Sequence, residues 1–249
     1  YLEGYLPGKA GYKKAVLFAP NYLAGQVAEQ YFEKGFNDAG GTVVQKLLPR
    51  VGAPDYGSFI GQISSDADVA IVFFTGVDAV RFLKQYADYG IKLPLFGFTV
   101  TVDETVLPTE GPSALGFIGA AQYFSTIDIP ENQAFLKEWN AAHASAPEKP
   151  SWLTLSGWIA AATLDHAIAT VKGNLGDKEA FLKAIKETKL STPAGPFRFD
   201  DKQNPILPRY VMQNREVNGA AQPVVIATIP EFIPVEKPPE LPAGFTLPK

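Results

Sequence analysis

The run VAIVFF (69–74) meets a Thr75-Gly76 corner and turns straight into the amphipathic stretch DAVRFLKQYADYG, 78–90. A strand apolar on both faces needs cover on both sides, and a helix following it directly is the commonest cover. The same unit recurs along the chain. KAVLFAP (14–20) leads into AGQVAEQYFEKGFNDAGG (24–41), whose Val27, Ala28, Tyr31, Phe32 and Phe36 form one helical stripe. TVVQKLL (42–48) precedes the short helix candidate SFIGQISS (58–65), and PLFGF (94–98) and GFIGAAQY (116–123) follow as further strands. This repetition dictates an α/β fold: a parallel sheet flanked by helices.

Beyond residue 123 the rhythm breaks. ENQAFLKEWNAAHA (131–144), WLTLSGWIAAATLDHAIATVK (152–172) and KEAFLKAIKET (178–188) read as three consecutive helices with no strand among them. FRFD (197–200), PRYVMQ (208–213) and PVVIATI (223–229) are strand-like, and the proline-bearing tail from Pro230 favours extended wrapping. The middle helix is apolar around much of its circumference and needs cover on several sides. The expected cover is a second sheet whose strands lie outside this chain, making the chain the C-terminal part of a longer protein or the partner of a separate N-terminal piece. The opening YLEGYLPGKAGYKK has no signal-peptide pattern and reads as the end of an earlier element.

Composition removes several function classes. A net charge of −4 with scattered Lys and Arg argues against nucleic acid, which needs a basic stripe. The longest apolar stretch, Trp152–Ile168, is interrupted by Thr154, Ser156, Thr163, Asp165 and His166. It falls short of the roughly 20 predominantly apolar residues of a membrane span, so no membrane insertion is expected. Without cysteine there is no disulfide or thiolate chemistry. His143 and His166 lack ligand spacing and read as surface or packing residues, and Trp152 and Trp158 as core. DDKQN (200–204) lacks the glycine and late glutamate of a calcium loop and reads as a solvated turn. No metal or cofactor is expected. Neither a G-x-S-x-G elbow, a P-loop nor a G-x-G-x-x-G after a strand is present, so the chain is expected not to be an enzyme.

The ordered series of segments carries a resemblance. KKAVLFAPNYLAGQVAEQYFEKGFNDAGGTVV resembles the start of the second lobe of periplasmic solute-binding proteins of the leucine/isoleucine/valine-binding family. DYGSFIGQISSDADVAIVFFTGVDAVRFLKQYADYGIKLPLFGF is similar to its next section, and AGPFRFDDKQNPILPRYVMQ to its closing segment. The resemblance implies a type I periplasmic-binding-protein-like fold of two lobes, with most of lobe one absent from this chain. It assigns residues 1–123 to the second lobe, 124–195 to the helical part of the first, and 196–249 to a return into the second. Strands near Tyr123–Ile129 and Leu190–Pro196 would join the lobes.

The resemblance also implies a role: a periplasmic (or lipid-anchored extracellular) receptor that captures a small solute between its lobes and delivers it to an ABC-transporter permease. A hydrophobic amino acid of the branched-chain type is the first-choice ligand. An aromatic carboxylate of the benzoate or cinnamate type is the alternative, and a ligand-sensing domain of a receptor or regulator is the rival class. Ligands of open α/β sheets lie at the carboxyl ends of the strands. That edge carries Asn21, Tyr22, Ala24 and Gly25 after the first strand, Gly76 and Asp78 after the third, and Thr99 and Thr101 after the fourth. Asp78 matches the acid that the resemblance places against a ligand ammonium, and it equally suits a helix cap. Asn21 suits a turn, and Tyr22 an aromatic wall or a shield over the strand end. Thr99 and Thr101 alternate on a strand-like run, so one should face the ligand, with Thr99 preferred.

Overall fold

The computed structural model describes residues 1–145, 148–232, 239, 241–242 and 244–247. By packing, these residues divide into two units. Unit 1 holds Tyr1–Ala121 and Val211–Ala227; unit 2 holds Gln122–Tyr210 and the strand end beginning at Thr228.

The parallel part of unit 1 has five strands: β1 (Lys14–Phe18), β2 (Thr42–Leu47), β3 (Val69–Val72), β4 (Leu95–Gly97) and β5 (Ile118–Ala121). They lie in the order β2-β1-β3-β4-β5 and pair in parallel. Every residue of β3 and β5 is buried, as unbroken apolar runs require of strands covered on both faces. Part of that cover is α1 (Leu2–Lys9), which packs on α2 (Leu23–Asp38) and reaches β3, β4 and β5. The opening segment is thus helical and packs within unit 1. Its approach to α2 is set by two glycines: a side chain at Gly4 would strike the Phe32 carbonyl, and one at Gly35 the Tyr1 carbonyl.

α3 is shorter than SFIGQISS suggested, only Gly57–Ile60. α4 runs Gly76–Asp88, starting two residues before Asp78, and its Phe82 stacks on Phe74 at 4.3 Å. Phe18, Tyr56 and Tyr86 surround the same ring, at 5.1, 6.1 and 5.6 Å between centroids. After β4 come a 3₁₀ turn over Thr99–Val102, α5 (Leu107–Glu110) and a second 3₁₀ turn over Gly111–Ala114.

Unit 2 carries the three consecutive helices, α6 (Pro130–Ala142), α7 (Trp152–Thr170) and α8 (Lys178–Lys186). α7 begins with a capping box, Ser151 and Thr154 each bonding the other's backbone amide. The buried Asn132 amide holds the turn before α6, donating to the Ser125 and Ile127 carbonyls at 3.1 and 2.7 Å and accepting from Tyr123 at 2.9 Å. Leu190–Pro196 does not cross between units; it belongs to the antiparallel hairpin of β6 (Lys189–Thr192) and β7 (Gly195–Phe199) within unit 2. Packing divides the chain at 210/211, within β8, whose first residues pair with β7.

The late strands are longer than expected: β8 (Pro205–Val217) and β9 (Ala220–Phe232) form a ribbon joined at Asn218-Gly219. Both turn residues have positive φ, 53° and 78°, the geometry of the tight hairpin turn that Asn-Gly favours. Pro230 lies inside β9, and half of the tail from Pro230, with Pro234, Pro238 and Pro248, lies outside the described residues. Trp152 and Trp158, expected in the core, are only part-buried. His143 stacks on Trp139 at 3.8 Å and His166 is exposed. Asp200 closes its own turn, accepting from the Lys202 and Asn204 amides at 2.9 and 2.7 Å. Among the described residues no helix is long and apolar enough to cross a membrane.

Candidate binding site at the carboxyl edge of the sheet

Because β1, β3 and β4 are parallel and each is followed by a helix or helical turn, the first turns of α2 and α4 gather at one edge of the sheet. Neither helix has a side-chain cap. Tyr22 is the N-cap of α2 and Thr75 that of α4, and neither side chain bonds the first turn. First-turn amides are unsatisfied within a helix and carry positive partial charge. The edge therefore offers two donor sets suited to an anionic group.

Beside them lies an aromatic platform. The Tyr22 ring stacks on Phe73 at 6.5 Å and 19°, and Phe73 meets Phe98 at 6.0 Å and 32°. Phe73 is 7% exposed and the outer rings 37% each, so a buried ring supports two that remain open to solvent. The sequence pattern singles out Tyr22 but not Phe73. The signal was present: Phe73 and Phe74 follow β3 as neighbours in the predicted strand run, where successive side chains point to opposite faces.

The remaining candidates divide between edge and scaffold. Asn21 donates its backbone N–H to the Pro49 carbonyl at 2.6 Å, and its side-chain oxygen accepts from Gln26 at 2.9 Å. It is a local turn residue on the edge. Ala24 is exposed on the first turn of α2. Gly25 is buried and packs so close to the Pro20 carbonyl that a β-carbon would collide with it. Gly76 is exposed and opens α4 with a φ of 55°.

Thr99 and Thr101 sit on a 3₁₀ turn rather than a strand, so strand alternation does not sort them; both are buried. The Thr101 hydroxyl bonds both the amide and the carbonyl of Phe74 at 3.1 Å, fixing the end of β3.

Asp78 is not the helix cap; it is the third residue of α4 and 7% exposed. One carboxylate oxygen accepts from the Gly52 amide at 2.8 Å and the other from Arg81 at 3.0 Å. Both oxygens thus have partners from this chain. The nearby Tyr56 hydroxyl is buried without a well-formed hydrogen bond. Burial first, then the Asp78 charge, pushes its pKa up to about 12. A hollow of about 340 Å³ flanks α4, lined by Val77, Val80, Arg81, Thr105, Val106 and Thr109. Its walls hold one cation and no ring, whereas the platform holds two half-open rings beside two helix starts. Among the described residues no cluster of His, Asp or Glu could hold a metal.

The sequence pattern of the periplasmic binding protein family matches residues 3–220. The chain is 27% identical over 218 residues to Leu/Ile/Val-binding protein homolog 6 of Brucella melitensis, covering 84% of this chain and 54% of that protein. Among solved structures it resembles an ABC transporter substrate-binding protein from Sphaerobacter thermophilus, at 30% identity and a TM-score of 0.87, over 93% of this chain and 64% of that one. It also resembles a solute-binding protein of an ABC transporter from R. palustris in complex with benzoate, at 29% identity and a TM-score of 0.81, over 92% and 62%. The chain thus spans about half the length of the curated relatives it matches.

Proposed function

This chain belongs to the periplasmic binding protein family, and from that premise we propose that it is the solute-binding part of an ABC importer and takes an aromatic carboxylate. The observation that carries this reading is the Tyr22–Phe73–Phe98 platform set beside the uncapped starts of α2 and α4. A planar ring laid on such faces gains about 0.5–1.5 kcal/mol per aromatic pair beyond its area burial. A carboxylate directed at first-turn amides meets donors and a favourable dipole without needing a side-chain cation. The likeness to a benzoate-bound solute-binding protein supports the same reading. Of the residues expected at the ligand, Asn21, Tyr22, Ala24 and Gly76 are the ones exposed at this edge. The role is capture in the periplasm and delivery to a membrane permease, with no chemical step.

The amino-acid reading stands second, supported by the likeness to a protein named for leucine, isoleucine and valine. Against it, an ammonium would have to compete for Asp78 with Gly52 and Arg81. A further proposal concerns α7, whose exposed apolar stripe we assign to the part of the protein that the relatives have beyond this chain's span. Titration calorimetry decides the ligand class. Benzoate should bind while leucine at the same concentration gives no heat, and Tyr22→Ala should weaken benzoate binding by about tenfold. Leucine binding with benzoate inert would reverse the order of the two readings.

A further inference from the structure

Three side chains on one face of α4 grip the backbone of the loop after β2. Asp78 accepts from the Gly52 amide at 2.8 Å, Arg81 donates to the Ala53 carbonyl at 2.9 Å, and Gln85 accepts from the Tyr56 amide at 2.7 Å. Residues 78, 81 and 85 share a helix face by spacing, and the Arg81–Asp78 bond at 3.0 Å ties two of the three together. At its other end the loop is tied to the end of β1, where Asn21 donates to the Pro49 carbonyl at 2.6 Å. Every one of these bonds to the loop is to its backbone. Its side chains Arg50 and Val51 are left exposed, Val51 at 53%.

From this arrangement we infer that Asp78, Arg81 and Gln85 are positioning residues that hold the loop from Pro49 to Tyr56 as a fixed wall of the ligand site. The inference rests on the ligand lying at the carboxyl edge of the sheet, as proposed above. β2 ends at that edge because it is parallel to β1, so the loop emerges beside Asn21 and Tyr22. A loop held in place before the ligand arrives need not be ordered on binding, so its entropy is not charged against affinity. Asp78 then acts on the ligand through the loop, without touching it, and its effect does not depend on the ligand having an amine.

The test uses the full chain, with benzoate and leucine as probes. In Asp78→Ala, amide hydrogen exchange at Gly52 should accelerate at least tenfold, and whichever probe binds the parent should bind about tenfold more weakly, the equivalent of one charge-assisted hydrogen bond. Asp78→Asn keeps an acceptor for Gly52 but loses the charge facing Arg81, so it should fall between parent and alanine variant. It also keeps the test alive if the alanine variant fails to fold. Arg81→Ala should weaken binding in the same direction. A direct ammonium contact predicts otherwise: Asp78→Asn would weaken leucine alone, and Arg81→Ala would leave affinity unchanged or raise it. Unchanged Gly52 exchange overturns the clamp, and faster exchange with unchanged affinity overturns its part in binding. A parent that binds neither probe overturns the ligand reading and the positioning role with it, while exchange at Gly52 still reports whether the clamp exists.

Discussion

Unit 1 and unit 2 solve the problem of burial differently. Of the largest fully buried side chains, all but Tyr123 belong to unit 1, where Phe18, Phe74, Phe82 and Tyr56 fill the space between sheet and helix. In unit 2, α7 is the more apolar helix and yet buries only Leu155, Thr163 and Ala167 along its length. Leu153, Leu164 and Ile168 are 61%, 48% and 41% exposed, and with Gly157, Ala160 and Ala161 they make an apolar stripe at helical spacing. α6 buries a single residue, and it is polar, Asn132. Strong helix patterning therefore does not guarantee a core. Unit 1 succeeds because β1 and β3 are each followed directly by a long covering helix, whereas in unit 2 helices follow one another and, among the described residues, α7 packs mainly on α8 and on β6.

The largest expected effect breaks the stronger side of this contrast. Phe82→Ala removes the ring on which Phe18, Tyr56, Phe74 and Tyr86 converge. It should lower the stability of unit 1 by about 3–5 kcal/mol in urea denaturation. A loss below about 1 kcal/mol would mean that the aromatic cluster is not the core.

A smaller effect concerns the weak point inside unit 1. Glu110 is 1% exposed, and neither of its carboxylate oxygens has a hydrogen-bond partner among the described residues. Burial, helped by the Asp103 charge and opposed by Lys84, pushes its pKa up from 4.5 to about 8. The folded state thus keeps a proton that the unfolded state releases near pH 4.5, so this group's contribution is fully present below that pH and lost as pH rises towards about 8. Glu110→Gln should therefore match the parent near pH 5 and exceed it by roughly 1–3 kcal/mol at pH 9, read from melting curves across pH. Parallel pH profiles for the two proteins would show that Glu110 ionises freely.

The smallest effect belongs to unit 2. Leu164→Ala in this chain should change stability by about 0.5 kcal/mol or less, as at an exposed site. In a protein of the relatives' full length the same change should cost about 2–5 kcal/mol, the range for a buried leucine. Equal small effects in both would leave the α7 stripe without a partner there.

The parallel sheet of unit 1 was legible because a strand buried on both faces needs an unbroken apolar run, and a covering helix needs a 3.6-residue stripe; both are local properties. α1 was not, because Pro7 and two glycines disguise a helix whose reason to exist is its close approach to α2. The β8–β9 ribbon was under-read because prolines break its strand pattern, although Asn218-Gly219 announced the turn. At the carboxyl edge of the sheet, periodicity located Tyr22 and Asp78, since strand ends and helix starts follow from the same pattern. It could not say what each side chain does there. Whether Asp78 faces a ligand or holds a loop depends on Gly52, 26 residues earlier in the chain and brought to it only by packing. Phe73 and Phe74 differ by one position, yet one supports the open platform and the other fills the core. Local pattern determined which elements form and where their ends lie. The partners of each polar and aromatic group were decided by tertiary structure alone, because hydrogen bonds and ring contacts depend on distances between segments that no local pattern encodes.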